Sequence, residues 1–466
     1  MIEFKTQLYD HQRAAVDKLS KVKVGALYME QGTGKTRTTL ELIKMRMDVG
    51  KVDKAIWLCP CSVKQNLKND IVYHCGEMPD NIIICGIETL STSVKWISKL
   101  MSIAGENTYL IVDESILVKN SNAIRTQRII NISQKCKYKL ILNGTPVSKY
   151  EADLFAQWYI LDWRILGYQS FYSFAANHLE YDEYGKIRKS LNVEYLAEKM
   201  APFTYQILKS ECLSLPPKTY QYHWFGLTDQ QERHYELKKD MYMDAVDEFN
   251  ETTIYRLLTA LQLILSGERI TSEKPSEHII HERMFGSIYD NPRIQALMNV
   301  VLSISEKCII YCKYSQSIND VCGVLNNEYG PETAVPFDGT ITIKKRVKNL
   351  ERFSTSSRFL VANKRCAGYG LNLQFCHYVV YYENDFDWAT RAQSEDRVHR
   401  IGQNQNVCII DICCGKLDKM IINCLSKKEN IANKLKKEIH NKRNEEEVKY
   451  SDKNRIVAKR KTENHI

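Results

Sequence analysis

The stretch Val24-Gly25-Ala26-Leu27-Tyr28-Met29-Glu30-Gln31-Gly32-Thr33-Gly34-Lys35-Thr36 decides how the rest of the chain is read. Val24 to Tyr28 form an apolar run suited to a buried strand. Beyond the turn, Leu40, Ile43 and Met47 recur at helical spacing on one face. A strand, a glycine-rich turn and a helix N-terminus make an anion cradle. The glycines let backbone N–H groups close around phosphate, and the helix dipole adds positive potential. In such a cradle Gly32, Thr33 and Gly34 form the loop, Lys35 reaches the β- and γ-phosphates, and Thr36 holds Mg2+. The strict motif has another glycine five residues before Gly34, where this chain has Met29. The alternative is a Gly-Thr-Gly turn that binds nothing.

The bulk properties bound what surrounds this loop. At 466 residues, two or three domains are expected. A hydrophobic content of 44% with 26% charged residues is that of a soluble globular protein. No apolar run approaches the roughly 20 residues that span a bilayer. The N-terminal Met1-Ile2-Glu3-Phe4-Lys5-Thr6 lacks a signal-peptide layout. A soluble intracellular protein of cytoplasm or nucleus is therefore expected, without membrane partners. The 15 cysteines are scattered, with no CxxC pairs, which argues against zinc ligation and against a disulfide framework. The net charge of +9 suits a polyanion partner without requiring one.

Further buried strands follow at Ala55 to Cys59, Ile82 to Cys85, Tyr109 to Val112 and Tyr138 to Leu142, separated by helical segments. That alternation predicts a parallel doubly wound sheet. The fourth strand ends in Asp113-Glu114, at the end of a strand where open α/β sheets bind ligands. Asp113 can hold Mg2+ through water, and Glu114 can orient and deprotonate an attacking water. A helix N-cap pair is the plainer reading. Asn143-Gly144-Thr145-Pro146 could sense a γ-phosphate. Gln12, upstream of the loop, carries an amide able to read an adenine edge, or it is simply solvated.

From Ala152 to Ile288 the strand signal fades and aromatics are dense; the segment reads as helical, its aromatics as core residues, with base-stacking platforms as the alternative. A second α/β unit begins at Lys307 to Cys312 and continues through Phe359 to Ala362 and Tyr378 to Tyr382. It leads to Gln393-Ser394-Glu395-Asp396-Arg397-Val398-His399-Arg400. Arg397 and Arg400, three apart, share a helical face and could offset charge in phosphoryl transfer. An exposed basic helix is the alternative. Residues 437–466 mix Lys, Arg, Glu and Asn and read as a charged, disordered tail.

Taken together, these motifs resemble those of the Snf2 family of superfamily 2 helicase-like ATPases, from Leu8 to about Ile421. Gln12 falls on that family's adenine-reading glutamine, and Gly32 to Thr36 on its motif I. Cys59-Pro60-Cys61-Ser62 resembles motif Ia, and Ile87-Glu88-Thr89-Leu90 the family's Tyr-Glu-Thr-Leu. Asp113-Glu114 with Lys119-Asn120 resembles DEAH-x-x-KN, and Asn143 to Pro146 motif III. Leu215-Pro216-Pro217-Lys218 resembles the family's LPPK, Asp338-Gly339-Thr340 motif IVa, and Gly370-Leu371-Asn372-Leu373 motif V. Asp396-Arg397-Val398-His399-Arg400-Ile401-Gly402-Gln403 is similar to motif VI almost letter for letter.

The resemblance implies two RecA-like parallel-sheet lobes with a helical insertion between them. The expected bounds are 1–165 for the first lobe, 166–290 for the insertion and linker, and 291–436 for the second lobe. It implies ATP-driven translocation on double-stranded DNA with Mg2+ as cofactor. Glu114, Arg397 and Arg400 would be catalytic, and Gly370 and Gln393 would join the nucleotide site. Ser62, Thr89, Lys313, Gly339, Thr340 and Asn372 would grip the DNA backbone, forked or branched DNA included. A monomer is the family's habit, and the sequence names no protein partner. Two other readings stay open: a strand-separating or fork-remodelling helicase on DNA or RNA, and an ATP-gated DNA clamp with little turnover.

Three departures stand out. The DEAH histidine is replaced by Ile116, with Ser115 before it, which weakens the case for polar coupling between motifs II and III. Gln206-Ile207 stand where paired arginines are usual, and Trp388 lies two residues closer to Gln393 than the family spacing. A bare motor is expected, as in compact viral or bacterial members, with no accessory module.

Overall fold

Strands that are apolar at every position belong inside parallel sheets covered on both faces, and such runs dominate the first third of this chain. The computed structural model describes residues 2–144, 146–147, 150–183, 185–244, 251–272, 274, 278–364, 371–427, 429, 431 and 434. The chain forms two compact units. The first holds residues up to Leu215 together with 371–372 and 399–402, and the second holds the other described residues.

In the first unit, β1 (Val24–Met29), β2 (Lys54–Cys59), β3 (Ile82–Gly86), β4 (Thr108–Val112) and β5 (Tyr138–Asn143) lie parallel. The short strands β6 (Leu179–Tyr181) and β7 (Ile187–Ser190) pair antiparallel as a separate ribbon. β8 (Thr204–Ile207) joins the main sheet beside β1, giving the order β3-β2-β4-β5-β1-β8. Side chains alternate across the sheet as the pleat requires. Ala26, Tyr28, Ile56, Leu58, Leu110 and Val112 enter one core. Leu27, Met29, Trp57, Cys59, Tyr109 and Ile111 enter the other. Trp158, on the helix Ala152–Leu166, donates its indole N–H to the buried Tyr28 hydroxyl at 3.0 Å. Burial also pushes the Tyr28 phenol up, so it stays neutral. Tyr28→Phe leaves that indole N–H without its acceptor. Chemical denaturation is expected to read a loss of about 1–3 kcal/mol.

In the second unit, β9 (Lys218–Trp224) is followed by the antiparallel pair β10 (Glu268–Ile270) and β11 (His281–Arg283). The sheet proper adds β12 (Cys308–Cys312), β13 (Ala334–Phe337), β14 (Phe359–Asn363), β15 (Tyr378–Tyr381) and β16 (Val407–Cys413). It is parallel throughout, in the order β13-β14-β12-β15-β16-β9. A second apolar cluster in this unit is helical, joining Glu251–Leu265 to Gly415–Lys427. Two six-stranded parallel sheets are thus present, one in each unit, as expected.

The span 166–290, expected to be helical, contributes a strand to each sheet: β8 to the first and β9 to the second. The tail expected at 437–466 lies outside the described residues. No helix among the described residues is long and apolar enough to cross a membrane.

Candidate active site

In the first unit β5 lies between β1 and β4, so the turns after all three strands open on one edge of the sheet. The turn after β1 is the glycine loop. Gly32 and Gly34 have φ of +82° and +91°, a left-handed backbone that glycine adopts without a Cβ penalty. Gly34 caps the helix Lys35–Asp48, so the first N–H groups of that helix face the loop. Thr33 is fully buried, and its hydroxyl donates to the Glu30 carbonyl at 2.7 Å.

Two side chains from the helix Asp10–Leu19 brace the loop from behind. His11 Nε2 and Gln12 Nε2 both meet the Thr33 carbonyl, at 2.8 and 3.1 Å. The acceptor is a carbonyl, so His11 carries its proton on Nε2. Gln12 also accepts from the Tyr9 N–H at 3.1 Å, and it is buried. A Cβ added at Gly34 would lie 2.0 Å from Gln12 Nε2, which binds that glycine to its neighbour as well as to its φ. The sequence singled out Gln12 for adenine; its amide here is engaged in shaping the loop. His11 escaped the sequence reading because nothing in its spacing marks it.

Lys35 Nζ donates to the Met29 carbonyl at 2.8 Å, folded back over the start of the loop. Thr36 follows it on the first helical turn, partly buried. At the end of β4, Asp113 donates its backbone N–H to the Leu58 carbonyl at 2.7 Å. Its carboxylate accepts the Glu114 N–H at 2.9 Å. Burial, then the neighbouring Glu114 carboxylate, push the Asp113 carboxyl up to about 7, with the Lys35 ammonium pulling the other way. A carboxylate crowded in this manner is one a divalent cation would relieve. Glu114 has φ +49° and ψ 53°, a left-handed conformation in a residue with a side chain, which costs of order 1–3 kcal/mol. Gln31, from the glycine loop, donates to Glu114 Oε1 at 3.5 Å.

The turn after β5 supplies the third side of the site. A Cβ added at Gly144 would lie 3.6 Å from both the Gln31 Cγ and its backbone N. Thr145 of this turn lies outside the described residues, as does Gly370. Residues 399–402 also belong to this first unit. A Cβ added at Gly32 would come within 2.9 Å of Arg400 Cβ, and Lys209 Nζ donates to the His399 carbonyl at 2.9 Å. Arg400 itself donates to Asn372 Oδ1. Arg400 and Asn372 also hold down the carboxyl of Asp70, which burial raises.

Two segments on the same edge carry the residues expected to meet DNA in this unit, the turn of Ser62 and the start of the helix Thr89–Thr92. Cys61 N–H donates to Glu88 Oε2 at 2.9 Å, and Cys61 Sγ lies 3.4 Å from Thr89 Oγ1. That pairing brings the two segments together, with Ser62 exposed.

In the second unit, Arg397 is buried, and its Nε donates to the Gln393 carbonyl at 3.2 Å. Gln393 stands on the helix Trp388–Glu395, capped by Asp387, which accepts from the N–H groups of Ala389 and Thr390, both at 3.1 Å. Trp388 opens this helix, while Phe386, two residues earlier, packs beneath Lys313 with 3.3 Å between amine and ring centroid. Lys313 Nζ also donates to Gln262 Oε1 at 2.7 Å. Gly339 and Thr340 are exposed, in a turn where Asp338 accepts the Thr340 hydroxyl at 2.8 Å.

The family model described as the SNF2-related domain matches residues 77–274, and that of the helicase conserved C-terminal domain matches 292–402. An uncharacterized ATP-dependent helicase of Mycoplasma genitalium is 23% identical over 364 residues, covering 77% of this chain and 33% of that protein. The TATA-binding protein-associated factor MOT1 of Saccharomyces cerevisiae is 23% identical over 502 residues, covering 88% of this chain and 26% of that protein. The chain thus spans a third or less of the length of these relatives. Among solved structures, the Sulfolobus solfataricus SWI2/SNF2 ATPase core in complex with dsDNA is 20% identical, with a TM-score of 0.42, covering 91% of this chain and 92% of that one.

Proposed function

Because this chain belongs to the SNF2-related, helicase-like ATPases, we propose that it hydrolyses ATP to translocate on double-stranded DNA, remodelling DNA structures or protein–DNA complexes. The observation that carries this reading is the grouping on one sheet edge of the glycine loop with Lys35, the Asp113–Glu114 pair and the Gly144 turn. Lys35 leaves the Met29 carbonyl for the β- and γ-phosphates, which its ammonium and the first N–H groups of the helix neutralise. Thr36 and Asp113 would hold Mg2+, which would neutralise phosphate charge. Glu114 acts as general base on the attacking water. Arg400, beside the glycine loop, and Arg397 stabilise charge as the bond to the γ-phosphoryl breaks.

Ser62 and Thr89 suit contacts to a DNA backbone because they are small and polar, Ser62 exposed in a turn and Thr89 partly buried at the start of a short helix on the same sheet edge. Such contacts read no sequence. Gly339, Thr340, Lys313 and Asn372 are proposed for the same backbone, and Gly370 and Gln393 for the nucleotide.

The deciding experiment measures ATP turnover side by side with no nucleic acid, single strands, duplex, forked duplex and RNA. Duplex DNA is expected to stimulate most, with displacement of a triplex-forming strand and no strand separation. Turnover requiring a fork, or accompanied by unwinding, would favour a helicase. DNA binding with negligible turnover would favour an ATP-gated clamp.

A further inference from the structure

The residue after the catalytic carboxylates, Ser115, and Gln157 on the helix Ala152–Leu166 are both 0% exposed. Ser115 Oγ and Gln157 Oε1 are 2.6 Å apart. Gln157 Nε2 lies 2.8 Å from the Pro146 carbonyl and 2.7 Å from the Asp153 carbonyl. Both of those partners are acceptors only, so the amide NH2 must face them. The amide oxygen then faces Ser115, whose hydroxyl donates. Every polar group of Gln157 except one lone pair is satisfied, in a place closed to water.

This amide spans two turns of the site. On one side is Ser115, which opens the short turn Ser115–Val118 directly after Glu114 and its left-handed backbone. On the other is Pro146, in the turn whose Gly144 packs against Gln31. The far end of the first turn is fixed to the same helix by Lys119 and Asp153, 3.3 Å apart. With Ile116 in place of histidine, the polar link between motifs II and III runs through a glutamine from a third element.

We propose that Gln157 is a positioning residue for the catalytic base, tying the backbone that carries Glu114 to the Gly144–Pro146 turn so that both move as one body. The proposal rests on the ATPase reading above. It differs from a mere core glutamine in that the link serves the geometry of the base rather than the affinity for nucleotide.

Gln157→Leu removes the link while keeping volume, and Ser115→Ala removes only its first bond. In both, kcat for ATP is expected to fall, by about tenfold in Gln157→Leu, with nucleotide affinity within about twofold. Gln157→Glu adds a signature that packing alone would not give. Protonated, the carboxyl still donates to a carbonyl; ionised, it faces two carbonyls with none to give. Its kcat relative to wild type should therefore rise as pH falls from about 8 to about 6, since burial raises a carboxyl. Wild-type turnover in folded Gln157→Leu, or a flat ratio for Gln157→Glu, would overturn the proposal. Hydrogen exchange without nucleotide separates this from the ATPase reading. Gln157→Leu should speed exchange in both 113–118 and 143–147, and a change in one segment only would refute the link whether or not the wild type turns over ATP.

Discussion

Glu114→Gln is expected to lower nucleic-acid-stimulated ATP turnover by about 10²- to 10⁴-fold, the range for loss of a general base, with nucleotide affinity within about twofold. The substitution keeps shape and leaves an amide oxygen able to accept from Gln31, which now lies 3.5 Å from the carboxylate. What is lost is the capacity to take a proton from water. The effect on binding can be signed from the neighbouring group. Burial first and the Glu114 carboxylate second hold the Asp113 carboxyl up. Removing the Glu114 charge therefore lets Asp113 ionise more readily, which favours a bound cation and leaves binding intact or slightly tighter. Titration with a fluorescent nucleotide measures affinity, and phosphate release measures turnover. Parallel loss of both would place Glu114 in binding rather than in proton transfer. A wild type with no turnover to lose would support the clamp reading.

How much of this site the sequence disclosed follows from how locally each part is determined. The glycine loop was legible because its backbone demands are local: φ of +82° and +91° at Gly32 and Gly34 restrict residue type whatever the surroundings. The central strands were legible because burial on both faces leaves an unbroken apolar run, as in Leu27-Tyr28-Met29 or Leu110-Ile111-Val112. The strands β8 and β9 were not. Each sits at a sheet edge with a single neighbour; β9 is largely exposed and β8 half-buried, so Thr204-Tyr205-Gln206-Ile207 shows only a short alternation, with Tyr205 and Ile207 turned to the core, and no unbroken apolar run. Gln157 was hidden for the opposite reason. It lies among apolar neighbours on a helical face, and its partners, Ser115 and Pro146, come from turns that only the folded sheet brings to it. His11 is similar: its one acceptor, the Thr33 carbonyl, is 22 residues away.

The second large effect is expected in the other unit, where Asp411→Ala should cost about 3–5 kcal/mol. Arg391 is buried against the face of Tyr381, 3.4 Å from the ring centroid. Asp411 receives its two terminal nitrogens at 2.7 and 3.0 Å, a two-pronged pairing that fixes orientation as well as charge. Asn384 ties the pair together, donating to Asp411 at 2.7 Å and accepting from Arg391 at 2.5 Å. Glu395 accepts from Arg391 Nε at 2.8 Å, and from Lys218 Nζ at 2.8 Å. Although burial pushes the Glu395 carboxyl up, Arg391 and Lys218 outweigh it and hold Glu395 below the ordinary carboxylate range. Its share of stability is accordingly present above that ordinary range and is lost as pH falls through the lowered value. Removing Asp411 strands a guanidinium and an amide N–H2 at a buried position. Asp411→Asn keeps an oxygen and should lose less. Replacing Arg391 and Asp411 together by leucine should recover only part of the loss, because Glu395 then loses Arg391 and keeps Lys218, and Asn384 loses both of these partners. Denaturant unfolding followed in the second unit reads these differences, and an Asp411→Ala loss within about 1 kcal/mol of zero would mean the pair stabilises little.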